Sequence, residues 1–346
     1  MVTGGLGDAA RCLTGTGPAD ALAALSARLQ AAAVTSRMAR AVFGSDIDVF
    51  STGVNLQTFS TPQGELVIRD SSRAELDAVR RLFASSNDAP YDLAAVAEEK
   101  CFERGVSGAA LLRVAVHGEA IVGAIVTSAS SIRILIVDRA ARGRGIGSAL
   151  LQDAERRLHA ARVRHISVAA EGGNYFTPGV VSSDLATLEF FSRRGYRVRD
   201  TTSNLICPLP PKAAAAVDAG VRRATEADRQ RVAAFIEKEF GRIWRFEAGR
   251  AFAGAEPTLF FLELGGEIAG FAAHDANNRG LGWFGPTGVA RRLRGQGFGR
   301  ALLLASLADL HAHGFPRAII PWTDAYEFYR KSCGAQIHHQ FSILIK

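Results

Sequence analysis

From Leu66 onwards the apolar and polar positions of the chain form a succession of short segments that occurs twice. The run Leu66-Val-Ile, closed by Asp70 and Ser71, predicts a short strand and a helix cap, and an amphipathic helix continues through Leu76 and Val79. Gly220-Val-Arg-Arg-Ala-Thr-Glu-Ala-Asp-Arg-Gln-Arg-Val has the same order in the second half. Gly118-Glu-Ala-Ile-Val-Gly-Ala-Ile predicts a hairpin turn and a buried strand, and Gly266-Glu-Ile-Ala-Gly-Phe-Ala does so again. A basic glycine loop follows in each half, with Gly145 and Gly297 lying 152 residues apart. Each half then continues into a helix, a strand, a second helix and a closing strand pair. Matching landmarks in one order imply an internal duplication.

Residues 1–64 lack this pattern. One helix is predicted over Asp20–Val42, with Leu22, Leu25, Leu29 and Ala33 on one face and Asp20 as its N-cap. The arginines there (Arg11, Arg28, Arg37, Arg40) resemble those of a transit peptide, but the absence of an apolar core segment argues against secretion. A packed helical or flexible extension, or a start assigned too early, is the plainer reading. Pro208-Leu-Pro-Pro-Lys-Ala-Ala-Ala-Ala-Val has linker composition. The expected organisation is an extension over 1–64, a first domain over 65–209, a linker over 210–219 and a second domain over 220–346.

Composition narrows the function classes. Of the 346 residues 48% are hydrophobic and 22% charged, the balance of a soluble globular protein, and no apolar run is long enough to cross a bilayer. Cys12, Cys101, Cys207 and Cys333 show no paired spacing, so neither a disulfide framework nor a metal site is expected, and a cytoplasmic location is the default. The net charge of +7 suits an anionic partner. Basic residues are not clustered with aromatics as nucleic-acid binding would require, so a small polyanionic cofactor fits better.

The glycine loops supply the means to hold one. In Ile134-Leu-Ile-Val-Asp-Arg-Ala-Ala-Arg-Gly-Arg-Gly-Ile-Gly-Ser a β-rich run ends, the loop follows and an amphipathic helix begins. Outward-pointing backbone N–H groups and the positive end of the helix together hold an anion, and glycine lets the backbone approach it closely. Gly285-Pro-Thr-Gly-Val-Ala-Arg-Arg-Leu-Arg-Gly-Gln-Gly-Phe-Gly-Arg has the same physics. A dinucleotide fingerprint would need G-x-G-x-x-G and a P-loop a terminal Gly-Lys-Ser/Thr, and neither copy has them.

These loops resemble the cofactor motif of the GNAT (Gcn5-related) N-acetyltransferases, Arg/Gln-x-x-Gly-x-Gly/Ala, at Arg142, Gly145 and Gly147 and again at Arg294, Gly297 and Gly299. The resemblance covers roughly residues 65–346. It implies an α/β (α+β) fold of two tandem domains, each a mixed, mostly antiparallel twisted sheet splayed between its fourth and fifth strands and flanked by helices. It also implies acetyl-CoA as cofactor, its pantetheine arm lying in the splay. The implied cofactor contacts are Val137, Arg142, Gly143, Arg144, Gly145, Ile146, Gly147 and Ser148 in the first half. In the second they are Val289, Arg294, Gly295, Gln296, Gly297, Phe298, Gly299 and Arg300. Gly285-Pro-Thr-Gly suits the irregular fourth strand, because proline removes a ladder donor and glycine permits a bulge.

The family commonly places an acidic tyrosine on the helix after the fifth strand to protonate the departing thiolate. Tyr329 stands there in the second half, whereas Phe191 takes that place in the first, so chemistry is expected in the second half. Asp275 and Asp324 lead as general base; Glu327, His274 and the first half's Asp138 are weaker choices, and a water relay is an alternative. The Glu171-Gly-Gly-Asn-Tyr-Phe-Thr-Pro-Gly loop reads equally as a substrate-cleft wall or as a packed connection. With Gly285-Pro-Thr-Gly-Val it resembles a tandem group that includes glucosaminide acetyltransferases of cell-wall recycling. That likeness implies an amino-sugar acceptor, onto whose face Trp244, Trp283 and Trp322 would stack if they are not core. The expected activity is acetylation of a primary amine on a small molecule by a monomer or homodimer, without nucleic acid, membrane or metal. Polyamine, aminoglycoside or peptide amines, or a non-catalytic acetyl-CoA sensor, are the alternatives.

Overall fold

In the first half an antiparallel meander is built by β1 (Gln57–Thr61), β2 (Gly64–Asp70), β3 (Ala110–His117), β4 (Ala120–Ser128) and β5 (Ser131–Val137). The computed structural model describes residues 57–61, 64–211 and 220–346, so the helix expected over 20–42 and the middle of the linker lie outside the described residues. The short β6 (Ser167–Val168) joins β5 in parallel. Helices α1 (Leu76–Ser86) and α2 (Ala97–Phe102) pack on one face of this sheet, burying Val79, Leu82, Phe83 and Cys101 against Val114, Ala124, Val126, Ile134 and Ile136. Helix α3 (Ile146–Ala160) covers the other face, where Leu150, Leu151 and Ala154 meet Ile125 and Ile132. A strand alternates faces with period two, yet Ile132 and Ile134 point to opposite sides. The register slips between Val126 and Thr127, leaving Arg133 as an extra residue that reverses the alternation.

The second half repeats the plan with β9 (Val221–Arg223), β10 (Leu259–Leu264), β11 (Glu267–His274) and β12 (Phe284–Val289). Its α5 (Arg229–Phe240) and α6 (Arg242–Gly249) cover one face and α7 (Phe298–Ala312) the other. The fourth strand is again irregular. Ala272 pairs with Thr287 and His274 with Phe284, so Gly285 and Pro286 bulge out of β12, as the proline and glycine pattern predicts.

The fourth and fifth strands splay in both halves. Ser167 N–H donates to Ser130 O (3.0 Å) and Ala169 N–H to Ile132 O (2.8 Å), after which β5 and β6 part. In the second half β13 (Arg317–Thr323) meets β12 only through a parallel bridge of Trp283 with Ile319, where Ile319 N–H donates to Gly282 O (2.9 Å).

The closing strands depart from the sequence expectation of a strand pair within each half. After α4 (Leu185–Ser192) the first half contributes one long strand, β8 (Arg197–Pro208), and after α8 (Tyr326–Cys333) the second contributes one, β14 (Gln336–Ile345). These two pair antiparallel with each other, and then cross over: β8 pairs with β13 of the second half, and β14 pairs with β6 of the first. A two-residue strand, β7 (Val180–Val181), also adds to β14. Consequently Leu344 lies in the first half's core with Phe191 and Ile132, while Leu205 and Cys207 lie in the second half's core with Tyr329 and Leu303. Neither half closes its own sheet.

Candidate functional site

The two glycine loops are near copies in backbone geometry. Arg142 has φ −64° and ψ 159°, and Arg294 φ −69° and ψ 159°. Gly145 then caps α3 at φ 82° and ψ −4°, and Gly297 caps α7 at φ 83° and ψ −7°. This left-handed cap is where glycine is required. The N–H groups of Ile146, Gly147 and Ser148, and those of Phe298 and Gly299, precede the first full-turn bonds of their helices, which run from Ala149 N–H to Gly145 O (3.0 Å) and from Ala301 N–H to Gly297 O (3.1 Å). Such a helix start, with the positive end of the dipole behind it, is suited to a pyrophosphate. Gly143, Arg144, Gly295 and Gln296 are exposed on the loop, whereas Ile146 is buried beneath it.

The loops differ in how their arginines are employed. Arg142 donates through Nε to Val137 O (3.1 Å) and through a terminal nitrogen to Ser86 O (2.6 Å), and it pairs with Asp88 at 2.7 Å; Arg139 shares the same carboxylate. Arg294 makes the equivalent Nε bond to Val289 O (3.3 Å), but its terminal nitrogens meet no acid among the described residues. The second loop therefore keeps a forked donor open for an anion.

Past each fifth strand the packing aligns the following helices. A methyl on Gly147 would lie 3.5 Å from Phe190, and one on Gly299 would lie 3.6 Å from Phe328. The next residues, Phe191 and Tyr329, are thereby structural equivalents, each edge-on to its predecessor at 5.2 Å and 4.9 Å. Tyr329 is 7% exposed, against Phe284 and Val289 of the splayed strand and Leu205 and Cys207 of β8. Burial, with some contribution from Cys333, pushes its phenol above the ordinary range, so it holds its proton at neutral pH.

The expected bases are dispersed. Asp275 sits in the turn from β11 to β12 with φ 48°; its N–H donates to Trp283 O (2.7 Å) and its Oδ1 accepts from Gly280 N–H (2.8 Å), while burial raises its carboxyl. Asp324 is exposed beyond β13. Glu327 is exposed and pairs along its helix with Arg330 (2.9 Å). His274 is buried and faces the Asp309 carboxylate at 2.8 Å, which Arg223 also holds. Despite the cost of burial, these partners keep Asp309 down to about 2. His274 is thus part of the α7 side of the core. Asp138 caps the turn after β5 by accepting from Ala140 N–H (2.9 Å).

The loop from Glu171 is a packed connection: Asn174 is fully buried and Tyr175 is 4% exposed. It carries a buried polar cluster between the halves that sequence patterning did not reveal. Lys100 Nζ donates to Glu99 (2.7 Å), Asn174 (2.9 Å) and Asn277 (2.7 Å), and Arg250 donates to Glu99 (2.6 Å). Arg133, the bulge residue of β5, donates to Glu171 (2.7 Å) across the first splay, where the second half has Gly285 and Pro286. Also missed was Asn204 of β8, fully buried, which donates to Tyr91 Oη (2.9 Å) and accepts from Trp322 N–H (3.0 Å). Of the tryptophans, Trp283 is core, Trp244 stacks on Phe240 (5.1 Å) and Trp322 is half-buried edge-on to Tyr175 (4.9 Å). Among the described residues no helix is long and apolar enough to cross a membrane, and no cluster of three metal-ligating acids, histidines or cysteines occurs.

Comparison with known proteins agrees with this geometry. The sequence matches the family described as "Acetyltransferase (GNAT) domain" over residues 85–203 and that described as "Acetyltransferase (GNAT) family" over residues 216–335. Among curated proteins no sequence match is found. Among solved structures, one similar fold is a GCN5-related glucosamine N-acetyltransferase region of a fungal multi-domain GH3 β-N-acetylglucosaminidase. It is 17% identical with a TM-score of 0.66, and the match covers 81% of this chain but only 38% of the fungal one. A GCN5-related N-acetyltransferase from Sphaerobacter thermophilus is similar at 19% identity and a TM-score of 0.63, covering 81% and 95% of the two chains. A tandem GNAT protein from the clavulanic acid biosynthesis pathway matches at 16% identity and a TM-score of 0.60, covering 81% and 98%. At these identities the likeness speaks for the fold, and the two family matches, end to end, span more than half of the chain. The chain belongs to the GNAT acetyltransferases, as two such domains in tandem.

Proposed function

We propose that the second half transfers an acetyl group directly to the primary amine of a small molecule, and that the first half is a structural partner with a degenerate site. The observation that carries this reading is the pair of equivalent positions Tyr329 and Phe191, because only tyrosine has a proton to give a departing thiolate. The open guanidinium of Arg294, beside the tethered Arg142, supports the same choice. Arg294, the loop from Gly295 to Gly297 and the first N–H groups of α7 would hold the pyrophosphate of acetyl-CoA, which supplies the activated acyl group when bound. The Gly285 N–H, set outside the ladder register by the Gly285-Pro286 bulge, is suited to hydrogen-bond the acyl oxygen. Tyr329, buried and protonated, donates to the sulfur.

The acceptor in this proposal is an amino sugar. The likeness to a glucosamine N-acetyltransferase region supports that class, and so does half-buried Trp322 next to the splay, since indole faces suit sugar rings. Purified protein given acetyl-CoA and glucosamine should release free thiol with saturation in both. Release no faster than the hydrolysis background would reject the amino sugar, and the same assay run across polyamines, aminoglycosides and peptide amines decides among the other classes. Acetyl-CoA binding without turnover of any amine would instead favour a sensor.

A further inference from the structure

The transfer proposed for the second half leaves unassigned the group that takes the amine's proton, and any assignment of that group rests on the transfer itself. Asp275 closes a turn and Asp324 lies exposed beyond β13. A third acid is placed differently. Helix α6 covers the face of β11 and β12 that turns away from α7, and two sets of contacts fix how it lies. Toward its start, Trp244 stacks on Phe240 and also meets Phe271, the cross-strand neighbour of Gly288. The Phe240 ring covers Gly288 so closely that a methyl there would lie 2.5 Å away. Toward its end the helix packs on the first half: the Phe246 ring covers Gly173, and Arg250 donates to Gly173 O (3.3 Å). Tyr175 of the same loop touches Trp283 at the start of β12, and the Glu247 carboxylate acts on its hydroxyl. Glu247 thus lies on α6 between the Trp244 contact with Phe271 and the helix's seat on the first-half loop, where Tyr175, which touches Trp283 just ahead of β12, is its neighbour.

Its surroundings set it apart from the other buried acids. Glu247 is 8% exposed, and no described residue hydrogen-bonds its carboxylate. Glu99 is held by Lys100, Arg250 and the N–H groups of Asn278 and Arg279 (both 3.0 Å), Glu171 by Arg133, and Glu103 by Arg279. Largely buried carboxylates with so few partners concentrate at functional sites.

We propose that Glu247 is the general base of the second half, receiving the proton of the acceptor amine on the α6 side of the β12 bulge. The amine nitrogen bonds to the acyl carbon as the carbon–sulfur bond breaks. The proton lost by nitrogen goes to the Glu247 carboxylate, the sulfur takes one from Tyr329, and exchange with solvent restores both groups. Burial lifts the Glu247 carboxyl to about 7 although Arg250 and Lys100 pull it down and Glu99 pushes it up, and such a group accepts and releases a proton near neutrality. The titratable groups that face it are Glu99 and Lys100 of α2, Arg250 just after α6, and Tyr175 of the first-half loop.

The test is steady-state kinetics of the full chain from pH 5.5 to 9 with whichever amine the wild type acetylates, comparing E247Q, E247D, D275N and D324N. E247Q should lower kcat roughly a hundredfold with the acetyl-CoA KM unchanged, and the rising limb of activity near pH 7 should vanish. E247D should retain the limb at a reduced kcat. If E247Q fails to fold, E247D carries the test through a kcat at least about tenfold down at an unshifted melting temperature. A wild-type kcat and limb in E247Q, or loss of the limb in D275N or D324N instead, overturns the assignment while leaving the transfer itself standing. A wild type that acetylates no amine removes both.

Discussion

The two halves share a backbone plan to within a few degrees at the loop caps, yet they differ wherever a side chain would have to meet a ligand. Arg142 is spent on Asp88 and Ser86, while Arg294 keeps its terminal nitrogens open. The first splay is crossed by Arg133 and Glu171, whereas the second presents Gly285 and Pro286 at that bulge. Phe191 stands where Tyr329 does. The cradle for an anion thus belongs to the fold, being made of backbone and helix ends. The chemistry rests on a handful of side chains that one copy can lose without losing its structure.

Exchanging the aromatic pair probes this contrast most severely. Tyr329→Phe should lower kcat by about a hundredfold or more, with the protein still folded, whereas Phe191→Tyr should leave turnover unaltered. Equal activity in Tyr329→Phe and wild type would leave the second half without its acid. The exchanged strands give the next largest effect. Leu344→Ala and Leu205→Ala each empty a fully packed site and should cost about 2–5 kcal/mol in denaturant unfolding. Their consequences should fall crosswise: hydrogen exchange should quicken around α3 and α4 for Leu344→Ala and around α8 for Leu205→Ala, although each residue lies in the other half of the sequence. Smallest is the pair of loop arginines. Arg294→Ala should raise the acetyl-CoA KM about tenfold, the loss of a charge-assisted bond, and Arg142→Ala should change it less than about threefold. Equal effects would mean that both loops grip the cofactor in turnover.

Local chemistry was readable in the chain, and distant neighbours were not. The strand–loop–helix order, the glycine-spaced basic loops and the bulge at Gly285-Pro286 follow from residues adjacent in sequence, so patterning revealed them. Arg197–Pro208 and Gln336–Ile345 read as strands, but nothing in an alternating pattern says which edge a strand will join, and their exchange stayed hidden. Glu247 sits in Trp-Arg-Phe-Glu-Ala with the look of a solvated helix position, yet the fold makes it a buried acid beside Tyr175 of the other half's loop. Asn204 was missed for the same reason, since its two partners lie far away in sequence, at Tyr91 and Trp322.

The crossed strands also carry a consequence for how the molecule comes into being. Both neighbours of β8, β13 and β14, belong to the second half. When the ribosome has finished the first half, its last twelve residues of strand have no edge to join, and the first half's own sheet stops at two residues of β6. Such open edges invite pairing with other chains. The topology is that of a strand-exchanged homodimer whose subunits are joined into one polypeptide. Covalent linkage turns a concentration-dependent meeting of subunits into a search within one chain, limited by the time needed to synthesise the second copy.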